Sequence, residues 1–175
     1  MRLVPVIMFA LFLAANPASA WQEYVYLDQG VAIQFPARPQ AAKSTFDSAF
    51  AKGLPSMVYT AEHDHVLYKL TVVDLASRPD MGANFLNEAA YWLMRTGEVV
   101  TADFPRVYQE AKAVYGVTLV VDRKDRSRIR TSFYYHKGKL YIADAILLPA
   151  RGDKDMSIPS RYDQTIRFPP DGQFD

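Results

Sequence analysis

The sequence has no cysteine and no apolar run long enough to cross a membrane. The absence of Cys from all 175 residues excludes disulfide bonds, thiol catalysis and lipid attachment at a lipobox cysteine. Residues 3–15 form an apolar stretch of about 13 residues, interrupted by Pro5, whereas roughly 20 are needed to span a bilayer. We therefore expect no transmembrane anchor.

The sequence also lacks the motifs of common enzyme classes. It contains no nucleophile elbow, Walker loop, glycine-rich dinucleotide turn, HExxH helix or Ser-x-x-Lys pair. A dispersed Ser, His, Asp triad remains open, although the three histidines offer few candidates. Catalysis is therefore the less favoured class of function.

The first twenty residues have the organisation of a cleavable signal peptide. Arg2 supplies a positive n-region, the apolar run follows, Asn16 and Pro17 end it, and small residues stand at positions 18 and 20. We expect residues 1–20 to be removed, leaving residues 21–175 as a single globular domain. This predicts a periplasmic or secreted protein with no membrane span after cleavage.

The expected mature chain carries no net charge. Removing Arg2 from the 20 Lys and Arg leaves 19 basic residues against 19 acidic ones. Nucleic-acid binding and nonspecific attraction to an anionic membrane both depend on a basic surface. The composition therefore predicts no nucleic-acid partner.

Alternating and β-branched segments predict a sheet made largely of antiparallel strands. Short turns separate most of these segments, which favours hairpins over parallel crossovers. The polar stretch 37–52 is predicted to lie outside the sheet. The predicted strands are 24–27, 31–35, 57–60, 66–75, 107–115, 117–121, 128–135 and 140–147.

One segment changes to a helical period. Apolar residues recur three and four apart over 82–96, which predicts an amphipathic main helix with Asn84 as N-cap and Gly97 as its end. A short helical turn is expected at 159–164. The predicted class is α+β, an antiparallel sheet of about six to eight strands covered by the main helix and a short C-terminal helix.

Two segments carry a resemblance to a known fold. They are 31–36 (VAIQFP) and 161–168 (RYDQTIRF), and with the order of elements the chain resembles the PsbP-like fold, named for an extrinsic photosystem II subunit. The opening is also similar to small uncharacterised exported proteins of proteobacteria. The resemblance implies a helix-flanked antiparallel sheet and a binding or accessory role without catalysis, and it transfers no functional residues.

A histidine pair marks the tip of a predicted hairpin. His63 and His65 lie two apart on an extended segment and could offer two nitrogen ligands to Zn²⁺ or Cu²⁺, with Glu62 or Asp64 adding oxygen. A structural or catalytic site usually needs a third protein ligand. The alternative is a solvated polar turn, so only weak divalent metal binding is expected and no cofactor is predicted.

Segment 122–139 is strongly basic. It has seven Lys and Arg against two Asp, a net charge of +5. In a strand, Arg126, Arg128, Arg130 and Tyr134 share one face, where guanidinium groups could bind a phosphate, a carboxylate or an acidic protein surface. The alternative is a solvated outer face whose arginines pair with acidic residues such as Asp144 or Glu110.

Together these features predict an exported, noncatalytic binding or accessory protein of the cell envelope. Its expected partner is an envelope protein or a small anionic ligand, contacted through Arg126, Arg128, Arg130 and Tyr134. The rival hypothesis is a metal-dependent enzyme or hydrolase that uses His63, Asp64 and His65.

Overall fold

The computed structural model describes residues 21–109 and 112–169. The predicted signal peptide, residues 1–20, lies outside the described residues, so its cleavage remains a prediction. Within the described part of the chain, no helix has both the length and the hydropathy needed to cross a membrane.

The structure is mostly antiparallel sheet with one main helix, α1 (Gly82–Met94), and a short C-terminal helix, α2 (Arg161–Gln164). The predicted α+β class is confirmed at this level. The strands are β1 (Gln22–Tyr26), β2 (Val31–Phe35), β3 (Gln40–Phe46), β4 (Leu54–His63), β5 (Val66–Asp74), β6 (Gly97–Asp103), β7 (Arg106–Gln109), β8 (Lys112–Arg123), β9 (Arg128–His136) and β10 (Lys139–Leu147).

Eight of these strands form one sheet. Its order is β3-β4-β5-β10-β9-β8-β6, and β7 pairs with the first residues of β8. Every pairing is antiparallel. Strands β5, β9 and β10 lie in the middle and bury residues on both faces, whereas the outer strands β3 and β6 are almost entirely exposed.

Helix α1 covers one face of the sheet. Its apolar stripe, Phe85, Leu86, Ala90 and Leu93, is buried against the sheet, as the three-and-four spacing requires. The helix starts after a 3₁₀ turn at Pro79–Met81, and the main chain reverses directly into β6. Sheet residues in this core are Val73, Leu119, Val121, Ile129, Phe133 and Leu140.

The opposite face is covered by the β1–β2 hairpin and α2. A backbone bridge joins Ala32 to Arg167, which ties the C-terminal segment to the hairpin. Tyr162 of α2 is fully buried and packs edge-on against Phe35 and Tyr68. The sheet is therefore the middle layer between two separate cores, and its central strands bury residues on both faces.

Three strand predictions were wrong in detail. Stretch 37–52 contains β3, whose pairing with β4 compensates for a polar, exposed sequence. Segment 107–115 is divided between β7 and the start of β8. Gly116, predicted as a turn, lies inside β8, and a Cβ there would come within 2.4 Å of the Tyr134 ring. Glycine is therefore needed for close packing rather than for a turn.

The predicted ends of the main helix were also wrong. Met81 stands at the N-cap position and no side chain caps the helix, so Asn84 is an interior residue. Gly97 does not terminate the helix but begins β6 opposite Arg123. A Cβ at Gly97 would lie 1.9 Å from the backbone oxygen of Asp122, so this glycine allows the edge strand to approach β8.

Candidate functional site

The structure places the predicted basic face among internal ion pairs. Arg128 donates from Nε to Asp122 Oδ1 at 2.6 Å and from a terminal nitrogen to Oδ2 at 3.0 Å. Lys154 adds a second ion pair to Asp122 at 2.7 Å. The hydrogen bond from Arg128, followed by that from Lys154, lowers the pKa of Asp122 from its ordinary 3.8 to about 2.

Arg130 is paired more deeply, beneath α2. Its guanidinium donates two hydrogen bonds to Asp163, at 2.7 and 2.9 Å, and Ser132 donates a third at 2.7 Å. Tyr134 on the same face is 2% exposed, and burial raises its pKa to about 12. The expected solvated face is thus wrong for Arg130 and Tyr134, because α2 and the β1–β2 hairpin cover it.

Arg126 is the exposed member of the predicted set. It lies in the β8–β9 turn with φ of 71°, and this turn separates it from the paired Arg128 and Arg130. Among the described residues, the carboxylate partners of Arg128 and Arg130 are Asp122 and Asp163 rather than the suggested Asp144. Glu110, the other suggested partner, lies outside the described residues. Anion binding by Arg126, Arg128, Arg130 and Tyr134 stays a prediction, and an anion at either paired arginine must compete with a carboxylate already in place.

The histidine pair lies where the sequence predicts, at the tip of the β4–β5 hairpin. His63 ends β4, and Asp64 and His65 form the turn with φ of 50° and 55°. Arg151 pairs with the Asp64 carboxylate at 2.9 Å. Among the described residues no group of three or more His, Cys, Asp or Glu side chains could hold a metal ion. Metal binding by His63 and His65 stays a prediction.

A different feature stands out on the α1 face of the sheet. A cavity of about 270 Å³ lies between the C-terminal half of the helix, the ends of β3 and β8, and strands β9 and β10. Its walls are largely apolar. The lining residues are Phe46, Asp47, Ala89, Trp92, Leu93, Arg123, Ile129, Thr131, Phe133, Ile142 and Asp144.

Glu88 fixes one wall of this cavity. Its Oε1 accepts a hydrogen bond from the backbone N–H of Ala49 at 2.6 Å and from the indole Nε1 of Trp92 at 3.3 Å. The first bond holds loop 47–53, which follows β3, against the helix. The second orients an indole that is 57% exposed. One carboxylate therefore positions both the loop and the aromatic side chain at the cavity mouth.

Arg123, the last residue of β8, forms the boundary between this cavity and a second depression. That depression, of about 400 Å³, is lined mainly by charged residues: Arg95, Gly97, Glu98, Asp122, Arg123, Lys124 and Lys154. The Nε atom of Arg123 is buried and has no hydrogen-bond partner within residues 21–109 and 112–169. We call the cavity and the depression together the Arg123 groove.

The carboxylates that contribute to the Arg123 groove are largely occupied. Asp144 pairs with Lys69 at 2.8 Å and accepts from Thr131 at 2.7 Å. Asp122 is shared by Arg128 and Lys154. A buried donor without an acceptor is costly, and the Nε of Arg123 is such a donor at the boundary of the two depressions, so a group of negative charge beside it would be favoured.

Sequence reasoning missed Arg123 because the residue was assigned to a turn. It belongs to the predicted basic segment, but its importance depends on the pairing of Gly97 with Arg123 and on the position of Trp92. Both depend on residues that are distant from Arg123 in the sequence. The one available signal was Trp92 itself, a large apolar residue placed at the edge of the helical stripe.

Comparison with known proteins identifies the fold of this chain through structural similarity. Neither a family model nor a curated protein matches the sequence. The solution structure of cyanobacterial PsbP (CyanoP) from Synechocystis sp. PCC 6803 is similar, with a TM-score of 0.51 and 15% sequence identity over 89% of this chain and 95% of that chain. The chain has a PsbP-like fold. The resemblance expected from the sequence is thereby confirmed.

The similarity to PsbP is structural and covers most of both chains. At 15% identity it establishes the arrangement of strands and helices, and it does not transfer a ligand or a partner. Function in this PsbP-like chain must therefore be argued from its own side chains.

Proposed function

We propose that this protein is an exported, noncatalytic binding or accessory protein, periplasmic or secreted, that holds a small anionic ligand in the Arg123 groove. The observation that carries the proposal is Arg123, whose buried Nε has no partner at the boundary of two depressions.

The electrostatics of the groove favour an anion. Its charged depression has the basic residues Arg95, Arg123, Lys124 and Lys154 against Glu98 and Asp122. Asp122 is already neutralised by two ion pairs, one of them with Arg128 from outside the depression. A carboxylate, sulfonate or phosphate bound beside Arg123 would accept charge-assisted hydrogen bonds, the stronger class of protein hydrogen bond.

A protein partner is the second candidate, and a separate surface favours it. Phe104, Tyr108 and Tyr115 are 77%, 71% and 63% exposed. They lie at the β6–β7–β8 edge, where Arg106 stacks over the Tyr115 ring at 5.4 Å. Exposed aromatic residues accompanied by arginine are typical of protein interfaces.

Thermal unfolding of the purified protein in a panel of small anions tests the proposal. A ligand that binds the folded state raises the melting temperature. We expect a rise with at least one organic anion, its loss in Arg123→Gln, and its retention in Arg126→Gln, which removes the same charge from a nearby exposed turn. Loss in Arg126→Gln instead would support the basic set predicted from the sequence.

A panel without any shift would contradict the anion-binding proposal and would favour the protein partner. That alternative has its own measurement. Replacing Phe104 and Tyr108 with Ser should abolish co-purification with a defined envelope protein while leaving the melting temperature of the free protein unchanged.

A further inference from the structure

We infer that the ligand of the Arg123 groove is a single-headed amphiphilic anion, a compact apolar body joined to one carboxylate or sulfonate. This inference rests on the proposed function and adds the chemical class of the ligand. The apolar body would occupy the cavity beside Trp92, and the anionic head would lie against Arg123 at the boundary of the charged depression.

The apolar half of the site is built from rings and aliphatic side chains. Phe46, Trp92 and Phe133 contribute aromatic surface, and Leu93, Ile129 and Ile142 contribute aliphatic surface. A cavity of roughly 150 Å³ is enough to hold benzene. The volume here, about 270 Å³, therefore suits a body of one or two fused rings rather than a long acyl chain.

The polar groups within the apolar half do not call for a cation. Asp144 is 4% exposed and already balanced by Lys69, with Thr131 donating to its other oxygen. Asp47 at the rim accepts the backbone N–H of Gly53 at 2.7 Å. A ligand body without charge meets Asp144 and Asp47 already hydrogen-bonded, which lowers its desolvation cost.

The charged half provides for one head group. Arg123 lines both depressions, Lys124 lines the charged one, and Lys154 is paired with Asp122. Arg95 stacks over the Tyr91 and Trp92 rings at 5.7 and 5.6 Å. Because these cations follow the apolar cavity directly, one molecule with a head and a body can contact both halves.

The aromatic wall distinguishes two neighbouring residues of α1. Trp92 lines the cavity and is oriented by Glu88. Tyr91, also about half exposed at 52%, does not line it and hydrogen-bonds to Arg95 at 3.0 Å. Trp92→Ala therefore removes ligand surface directly, whereas Tyr91 acts on the groove only through Arg95, which lines the charged depression.

The experiment measures the affinity of the full protein for three probes by isothermal titration calorimetry. 2-Naphthoate has both parts, acetate has the head alone, and 2-naphthylmethanol has the body alone. We expect 2-naphthoate to bind at least roughly tenfold more tightly than either single part, because a charge-assisted hydrogen bond and apolar burial act together.

The variants locate the binding. Arg123→Gln should weaken 2-naphthoate binding by roughly tenfold or more, the loss expected for a hydrogen bond to a charged group. Trp92→Ala should also weaken it, while Arg126→Gln should leave it within about twofold, since Arg126 does not line the groove.

Failure of the ligand class differs from failure of the proposed site. Binding of acetate or another small anion that Arg123→Gln abolishes, with no gain from the naphthyl body, would overturn the amphiphile and leave the anion site standing. Binding of 2-naphthoate unaffected by Arg123→Gln and Trp92→Ala would overturn both. Equal affinity for 2-naphthylmethanol and 2-naphthoate would overturn the anionic head.

Discussion

The ion pair between Arg130 and Asp163 provides the sharpest test of how α2 is held on the sheet. Asp163 accepts two hydrogen bonds from Arg130 and one from Ser132. Its side chain is 5% exposed and that of Arg130 is 17% exposed. In Asp163→Asn the shape is kept, but the charge is removed and an amide N–H faces an arginine donor.

The expected cost follows from that geometry. Removing one partner of a buried ion pair destabilises a protein by about 3–5 kcal/mol. The residual exposure of Arg130 lets water solvate part of its unpaired charge, so we expect a loss of about 3 kcal/mol in the free energy of unfolding. For a chain of this size, that loss lowers the melting temperature by roughly 6–12 °C.

Urea unfolding followed by circular dichroism measures the loss, and two variants control it. Asp153→Asn breaks the pair with Arg151, whose acidic partner is 56% exposed, and should cost much less stability than Asp163→Asn because water screens the pair. The double variant Arg130→Met with Asp163→Leu should recover most of the stability, because no buried charge is left unpaired. A loss below about 1 kcal/mol in Asp163→Asn, or no recovery in the double variant, would refute this reasoning.

Three further predictions concern single residues. Arg128→Gln should raise the pKa of Asp122 from about 2 toward 3.8, which carboxyl NMR measures. Because the pKa of Asp122 is lowered in the folded state, its pair with Arg128 stabilises the fold above about pH 3.8. That stabilisation is lost as the pH falls toward 2. Burial, followed by the charge of Lys137, lowers the pKa of His136 below 6.5, so the free energy of unfolding should fall as the pH drops through 6.5. His136→Phe should reduce this difference between pH 7.5 and pH 5.5, measured by urea titration at each pH. Gly116→Ala should cost roughly 1–3 kcal/mol by overpacking against Tyr134, and wild-type stability of this variant in the same assay would contradict the close packing.

Local sequence patterns were sufficient to predict the positions of most strands in the central sheet. Segments rich in β-branched and aromatic residues became β5, β9 and β10 with ends displaced by one residue or fewer from the predicted bounds. The stripe of α1 was likewise readable from its period. These elements have strong local patterns because they bury regular faces.

The outer strands could not be predicted for the opposite reason. Strands β3 and β6 expose nearly all their side chains, so no apolar alternation marks them, and only hydrogen bonds to β4 and β8 define them. The solvent exposure of the basic face of β9 could not be predicted for a similar reason. Nothing near Arg130 in the sequence indicates that Asp163, thirty-three residues later, will cover it.

The candidate groove could not be predicted from the sequence either, because it depends on contacts between residues that are distant in the sequence. Its walls come from α1, the end of β3 and the loop after it, the end of β8, and strands β9 and β10. Each contributing residue has an ordinary local explanation. Only the tertiary arrangement brings Trp92 and Arg123 to one cavity and leaves the Nε of Arg123 buried without an acceptor among the described residues.

The measurement that tests the central claim most directly is a two-dimensional NMR titration of the protein with 2-naphthoate, observed at its tryptophan indoles. The chain has two tryptophans, and they lie on different faces of the sheet: Trp92 at the groove and Trp21 against Tyr68 and Tyr162. Trp92→Phe assigns the two signals. The account predicts a saturable shift of the Trp92 indole that Arg123→Gln suppresses, with Trp21 unchanged. A shift at Trp21 alone, or none at either indole up to the solubility limit of the probe, would contradict it.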